Sequence, residues 1–494
     1  YTNFTLDKNR DEGMHDAGDV ENPRYRGGTL PHGLPQIFAR AVKDFEEYRL
    51  AKLTWLHAYY RNPMRIGRGV QNGGRWYRLA QEAGLPARTT GRVHSADDRL
   101  WERREVVIEN DIGWRIQSMV DFMFGKPVYL QSVGASGERK DIIESIISTV
   151  LQASGGMTLL QDIALLGHIY GHVDIALRVD PALAQAPTPR DSAELASLVG
   201  TYMRIEAIEP RRGVPIVSQH DYRLLEGYAI RATRRLPDPV NGKQYITSIE
   251  AITPQSWGYY EDGVLRWRRP NLCGALPVVH IQNTSQPLEY SGLSEVEPLI
   301  PLQDELNTRL SDRASRVTLQ SFKMYLAKGV HGFEQMRIGP GQVFSSENID
   351  ASVEAFGGDS HNPSEEAHIR EIREALDKVS GVPPLASGVV QAKIGNLSSA
   401  NALRVTLMSV LSKNARKRVT YGAGLVRICE LMLSAVHNTG LFTTAVHERK
   451  IEPVWEDPLP QDTREVLAAA EAKVRLGVPV GQVLEELGYG VGKA

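Results

Sequence analysis

The chain has 494 residues, 42% hydrophobic and 23% charged, with a formal charge of −2. This is an ordinary globular composition, with length enough for roughly two to four domains. The near-neutral balance excludes a global basic field for nucleic acid. Two distant cysteines, Cys273 and Cys429, exclude a disulfide framework and a cysteine zinc site. No apolar run approaches the length of a membrane span, and no basic region followed by an apolar core marks a secretory signal. The expectation is a soluble protein of a reducing compartment, or of a particle assembled in one, without membrane contact. The chain opens on Tyr1 rather than methionine, which implies that a few residues have been removed or left out.

Residues 1–34 are polar and rich in Gly and Asp, the composition of a flexible arm. From Pro35 to Tyr60 the pattern is helical, with Ile37, Ala41, Phe45, Tyr48, Leu53 and Leu56 expected in the core. Pro63 ends it by pushing Asn62 out of helical geometry. Residues 67–98 read as loop. Arg75-Trp76-Tyr77-Arg78 could stack on nucleic acid, but a surface helix end with one buried aromatic accounts for it better. Ile112, Ile116, Met119, Val120 and Met123 form a helical stripe stopped by Gly125 and Pro127, and Val128–Gln131 follows as a strand. Ile142–Leu151 and Met157–Leu166 read as helices. Residues His172–Asp180 alternate strictly, placing Val173, Ile175, Leu177 and Val179 on one strand face. His168 and His172 have the spacing of a helical metal pair, but Gly171 separates helix from strand and no Glu follows His168. Satisfied polar histidines, and no metal, are expected there. Residues 181–200 read as a loop or insertion. Short β-rich runs at Tyr202–Ile208, Tyr228–Thr233, Tyr245–Ile252, Val264–Trp267 and Leu276–Ile281 predict an antiparallel sheet.

The most organised stretch runs from Gly292 to Val382. Ser294 and Glu297 fit a capping box, and Leu299, Leu302, Leu306, Leu310, Ala314 and Val317 form one apolar stripe. Pro298 and Pro301 place a kink there, or a helix start near Pro301. A small β-rich insert follows, with Lys323–Ala327 and Gly341–Ser345 strand-like and Gly357–Asn362 turn-rich. Ser364 opens a returning helix with Ile369, Ile372, Leu376 and Val379 on its apolar side. Pro383 and Pro384 block its continuation. A long helix is expected from Ser398 to His437, bent near Gly422 and Gly424, then a strand at Lys450–Asp457. Helices at Asp462–Leu476 and Val480–Leu487 close the chain.

Several of these stretches, in this order, resemble tailed-bacteriophage portal proteins. Tyr59-Tyr60-Arg61-Asn62 resembles the end of the family's first helix. Asn110–Val128, with Gly125-Lys-Pro-Val128, resembles its N-terminal wing motif. Gly274–Asn283 resembles the last wing strand, and Gly292–Asn307 the start of the first stem helix. The resemblance covers roughly residues 35–487 and departs in the arm, the 67–98 loop and the 181–200 insertion. It implies an α+β fold of portal-like architecture, with an α+β wing, a long helical stem, a small β-rich clip and a helical crown. The implied boundaries are arm 1–34, wing 35–291, first stem helix 292–320, clip 321–362, second stem helix 363–380, tunnel loop 381–397, wing helix and strand 398–457, and crown 458–494. It further implies a homo-oligomeric ring, usually a dodecamer, at the portal vertex of a virion capsid, assembled in the host cytoplasm. Implied partners are the terminase large subunit, a head–tail adaptor, scaffold and major capsid proteins, and double-stranded DNA passing through the channel.

The chemistry is consistent with a low-friction conduit. Ser294–Leu319 carries Glu295, Glu297, Asp304, Glu305 and Asp312 against Arg309, Arg313 and Arg316. Residues Ser364–Val379 carry Glu365, Glu366, Glu371, Glu374 and Asp377 against Arg370, Arg373 and Lys378. A mildly acidic lumen would not accumulate phosphate contacts, though a solvated helix face laced by ion pairs looks the same. Leu302, Leu306, Leu310, Ile372 and Leu376 are the expected stem-packing residues. Gln391, Lys393 and Asn396 are the tunnel-loop groups able to meet a phosphate. No P-loop, nucleophile elbow or zinc-protease motif is present, so neither catalytic residues nor a cofactor are expected. Two alternatives stay open: a metal-dependent nuclease using acids such as Asp174, Asp180 and Glu206, and a non-DNA ring or scaffold protein.

Overall fold

The computed structural model describes residues 33–61, 107–221, 224–240, 243–320, 324–329, 347–356, 363–387, 404–459 and 463–486. The N-terminal arm up to residue 32, the 67–98 loop, the Gly341–Ser345 strand, the Gly357–Asn362 turn and Gln391, Lys393 and Asn396 lie outside the described residues. The chain divides into two compact units, one within 58–113 and 298–380, the other within 22–57, 114–297 and 381–494.

The larger unit is α+β. Helices α1 (Gln36–Tyr48) and α2 (Leu50–Arg61) open it, the last turn of α2 from Ala58 belonging to the smaller unit. They are separate, broken at Arg49, where a single helix was expected. The break and a one-residue phase shift change the core list. Phe38, Ala39, Val42, Phe45, Leu53, Leu56 and Tyr59 are buried, while Ile37 and Tyr48 are exposed. Ile37 and Phe38 are adjacent apolar residues, and packing of α1 on the sheet decides between them: Phe38 closes over Gly227.

Helix α3 (Asp111–Phe124) leads into β1 (Val128–Ser132), then α4 (Glu138–Ala153), α5 (Met157–Tyr170) and β2 (His172–Val179). Strand β2 is central in a three-stranded antiparallel sheet with β3 (Met203–Ile208) and β9 (Val278–Gln282). Its alternation suggested one wet face, but His172, Asp174 and Ala176 are buried as completely as Val173, Ile175 and Leu177. Two layers cover it. Residues 181–200, expected as loop, contain a 3₁₀ turn (Pro181–Gln185) and helix α6 (Ser192–Tyr202). Asp191 caps that helix by accepting from the Glu194 amide, and Leu195, Ala196 and Val199 bury its inner side.

The remaining strands form a second, five-stranded antiparallel sheet in sequential order: β4 (Gly213–Val217), β5 (Leu225–Val240), β6 (Lys243–Ile252), β7 (Ser256–Glu261) and β8 (Val264–Pro270). Two of these, β4 and β7, were not anticipated. Asp262-Gly263 joins β7 to β8 with positive φ at both residues, the backbone a tight hairpin turn needs.

Helix α9 (Met408–Thr439) runs through the main core with strand β12 (Ile451–Trp455), which pairs with β1. It is one uninterrupted helix. Gly422 and Gly424, expected to bend it, instead admit neighbours, since a Cβ on Gly424 would stand 2.4 Å from Ile281. By length and composition α9 could cross a membrane, which the sequence reading missed, yet 61% of its most apolar window is buried in the fold. Helices α10 (Thr463–Arg475) and α11 (Val480–Glu486) complete the unit.

The smaller unit holds α7 (Ile300–Gln320) packed with α8 (Pro363–Ser380), and between them in sequence the antiparallel pair β10 (Met324–Lys328) and β11 (Ser352–Phe356). Strand β11 was not anticipated. The α-helix begins one residue before Pro301, after a 3₁₀ turn at Glu297–Leu299. Pro301 therefore occupies the first turn, where its missing N–H costs nothing.

Candidate functional site

The Gly292-Leu-Ser-Glu-Val-Glu segment that leads towards α7 is clamped to the larger unit. Gly171, left-handed at the end of α5, and Gly292 meet backbone to backbone. A Cβ on Gly292 would lie 2.5 Å from the Gly171 carbonyl oxygen, and one on Gly171 2.4 Å from that of Gly292. Only glycine fits at either position. The Asn283 amide donates to the Gly171 carbonyl (2.9 Å) and the Glu295 amide to the His168 carbonyl (2.9 Å). Ser294 Oγ donates to the Ile169 carbonyl at 2.6 Å and accepts from the Val296 and Glu297 amides. The capping box is thus half made, because the Glu297 carboxylate pairs with Lys52 at 2.8 Å.

Glu295 joins this segment to α9 through Lys413 Nζ at 2.8 Å and Lys417 Nζ at 2.7 Å. Lys417 is 2% exposed. Burial alone would raise the Glu295 carboxyl, but the two ammonium groups overcome it and hold it at about 2. Burial brings Lys417 down to about 8 against the pull of Glu295. Beside them His168 donates from Nδ1 to the Ala164 carbonyl, and burial, then Lys417, drives its pKa down to about 3. Tyr421 donates to Asn283 Oδ1 at 3.1 Å, closing the same cluster from α9.

A second buried cluster holds the loop just before Gly292. Asp174 accepts from Tyr228 (2.6 Å) and Tyr290 (2.6 Å) and pairs with His280 Nδ1 (2.7 Å). His280 Nε2 reaches the Tyr290 carbonyl at 2.7 Å, and Arg49 donates to Ser291 at 2.5 Å. Asp180 caps the 3₁₀ turn by accepting from Ala182, and Glu206 pairs with Arg178. The three acids considered as nuclease ligands therefore have separate structural partners. Among the described residues no group of three or more His, Cys, Asp or Glu side chains is arranged to hold a metal ion. Both cysteines are buried, which pushes their thiols up to about 12.

In the smaller unit, Leu306, Ile372 and Leu376 are buried, while Leu302 and Leu310 are half-buried. A ladder of polar side chains on α7 was missed. Gln303, Asn307 and Ser311, one turn apart, bind residues 107–112, the segment that leads into α3 and the start of that helix. Gln303 Oε1 accepts from the Asp111 (3.0 Å) and Ile112 (3.2 Å) amides, and its Nε2 donates to the Glu109 carbonyl (2.6 Å). Asn307 Oδ1 accepts from the Glu109 amide (2.9 Å) and Ser311 Oγ from the Val107 amide (3.0 Å). Tyr59 adds a bond to Asp304 at 2.7 Å, and Arg373 reaches Glu109 at 2.7 Å. The sequence signal was Gln-x-x-x-Asn-x-x-x-Ser beside the leucine stripe, a polar row too regular for a solvated face. Gln303→Ala leaves two buried backbone amides and one part-buried carbonyl unpaired and is expected to cost about 2–4 kcal/mol. Chemical denaturation of the variant checks this.

The outward face of the helix pair is charged. On α8, Arg370, Glu371, Glu374 and Lys378 are exposed, opposite Ile369, Ile372 and Leu376. On α7, Arg309 takes the acids Glu305 (2.7 Å) and Asp312 (3.2 Å) of the same helix, and Arg316 takes Glu365 of α8.

Among known proteins, the family model described as "Phage portal protein, SPP1 Gp6-like" matches residues 116–481, well over half of the chain. Two solved structures are similar. One, "Virion of native gene transfer agent (GTA) particle", is 13% identical, with a TM-score of 0.45, over 76% of this chain and 89% of that one. The other, "Neck of empty GTA particle computed with C6 symmetry", is 14% identical, with a TM-score of 0.45, over the same shares. No curated protein matches the chain. The match across both sheets, the helix pair and α9 settles the family: this chain belongs to the SPP1 Gp6-like phage portal proteins, structural proteins of the head–tail connector rather than enzymes.

Proposed function

We propose that the chain assembles into a ring, usually a dodecamer in this family, at one capsid vertex. There it serves as the conduit for DNA packaging and ejection, docks the terminase large subunit, and later holds the head–tail adaptors. Scaffold and major capsid proteins would contact it during assembly. The observation that carries this reading is the excursion α7–β10–β11–α8, a helix pair returning on itself around a small strand pair within a portal-family chain. In this reading residues 292–320 and 363–380 are the stem, 321–362 the clip, 381–397 the tunnel loop, 35–291 and 398–457 the wing, and 458–494 the crown. Leu302 and Leu310, half-buried in the single chain, retain apolar surface for a neighbouring subunit. Glu371 and Glu374 make no ion pair among the described residues and are the acids best placed to repel phosphate. Negative-stain electron microscopy of the purified protein, viewed down the symmetry axis, tests it. Rings with a central channel are expected, and a monodisperse monomer at micromolar concentration would overturn the reading.

Gln391, Lys393 and Asn396 are proposed to meet DNA in the tunnel loop, with Lys393 the phosphate contact. Lys393→Ala is expected to leave rings intact and to weaken a salt-sensitive DNA interaction. Deleting Val389–Lys393 should leave rings that package or retain DNA poorly. Full packaging and retention by the deletion would return this loop to a plain connector.

A further inference from the structure

The five-stranded sheet ends in an open edge. Strand β8 pairs only with β7, and its outer side has no strand among the described residues. Its sequence is Val264-Leu-Arg-Trp-Arg-Arg-Pro270, and every residue but Trp267 is exposed. Arginines and a proline guard many free edges against unwanted pairing. Here the guard is incomplete, because Val264 (53%) and Leu265 (44%) lie open at the start of the strand.

The charges are arranged for a partner. Glu261 is occupied by Arg234 (3.1 Å) and Arg266 (3.1 Å). Arg269 lies over Trp267, which stacks on Tyr259 on one face of the sheet. Arg268 lies on the other face, 3.5 Å from the Tyr260 hydroxyl. Cations on both faces of one edge match an extended segment with acids on both sides. They do not match a phosphate backbone tracking one face. Pairing of β8 with β8 of another copy would set arginines against arginines, which is destabilising.

The chain itself supplies such a segment. Residues 1–21 contain Asp7, Asp11, Glu12, Asp16, Asp19 and Glu21 against only Lys8 and Arg10, with Tyr1, Phe4, Leu6, Met14, Ala17 and Val20 as apolar residues. The described chain begins at Gly33, where a Cβ would stand 3.3 Å from the carbonyl oxygen of Gly263, in the turn that opens β8. Gly33 thus sits beside the open edge of its own chain. We propose that the β8 edge receives residues 1–21 of a neighbouring copy as an added strand. This rests on the ring reading, since cyclic symmetry lets each subunit give one segment and receive one. Main-chain bonds would supply affinity, and the arginines register and salt sensitivity.

Hydrogen exchange of assembled protein tests the proposal. Removing residues 1–21 is expected to speed exchange of the Val264–Arg269 amides by about ten-fold or more, and adding the 1–21 peptide to slow it again. The pair R268E/R269E, on an exposed edge, should fold normally and bind that peptide about ten-fold more weakly. Copies carrying only Asp7→Cys, assembled with copies carrying only Val264→Cys, should crosslink into dimers. Crosslinking confined to single chains bearing both cysteines would overturn the exchange between copies. Equal β8 protection with and without residues 1–21, in rings of normal size, would sink the docking site while leaving the ring reading standing. A single-stranded oligonucleotide protecting β8 more strongly than the peptide would also overturn it. Absence of rings in the unmodified protein would instead sink the ring reading itself.

Discussion

Leu306→Asp is expected to abolish ring formation by destabilising the helix pair within each subunit. Leu306 is completely buried in the single chain, on the same helix as the Gln303–Asn307–Ser311 ladder. Truncation to alanine there should cost about 2–5 kcal/mol through lost transfer energy and the cavity left behind. A carboxylate should cost more, because nothing apolar nearby can pair it and it must protonate or escape to water. The half-buried Leu302 and Leu310 set a useful contrast. Leu302→Asp and Leu310→Asp should lose less intrinsic stability and act chiefly on assembly. Denaturation of isolated subunits alongside light scattering of assembled protein separates the two effects. Wild-type stability and wild-type rings in Leu306→Asp would refute both the core role of this residue and the stem assignment of α7.

Glu295→Gln should give the largest electrostatic effect. It leaves Lys417 buried without its counter-charge and weakens the hold of α9 on the segment entering the helix pair. Breaking a buried pair from one side typically costs about 3–5 kcal/mol. The pH dependence carries a distinct signature. His168 and His172 are both held at about 3, chiefly by burial, against an ordinary value of 6.5. Below pH 6.5 the unfolded chain takes up protons that the fold refuses, so stability falls as pH drops from 6.5 towards 3. Glu295 and Asp174 sit at about 2, against ordinary values of 4.5 and 3.8. The stability they contribute is complete above pH 4.5 and is lost as pH falls to about 2. Wild type and Glu295→Gln should therefore differ most above pH 4.5 and converge towards pH 2. Denaturation curves collected across that range check it, and a constant gap between the two proteins would place the source of stability elsewhere.

The order of elements was legible in the sequence because each rests on local physics. The leucine period marks α7, Ile369, Ile372 and Leu376 mark α8, and the alternation of 172–179 marks β2. Pro301 and Gly171 mark where helices begin and stop. The family resemblance was legible for the same reason, as a succession of such local signals. Hidden were the relations between residues far apart in the chain. Nothing local says that Gly171 must be bare because Gly292 arrives against it, or that Gly424 admits Ile281 rather than bending its helix. Helix α6 was obscured by the prolines before it, and its inner side has meaning only once the neighbouring core is in place. The two layers over β2 turned an apparently half-wet strand into a buried one. The polar row Gln303–Asn307–Ser311 looked like surface until a backbone with unpaired amides was laid along it. Local propensity and period thus determined which elements form and in what order. Tertiary structure alone decided which faces meet, because burial of a polar or bare position is stable only when a distant partner supplies the missing hydrogen bond, counter-charge or space.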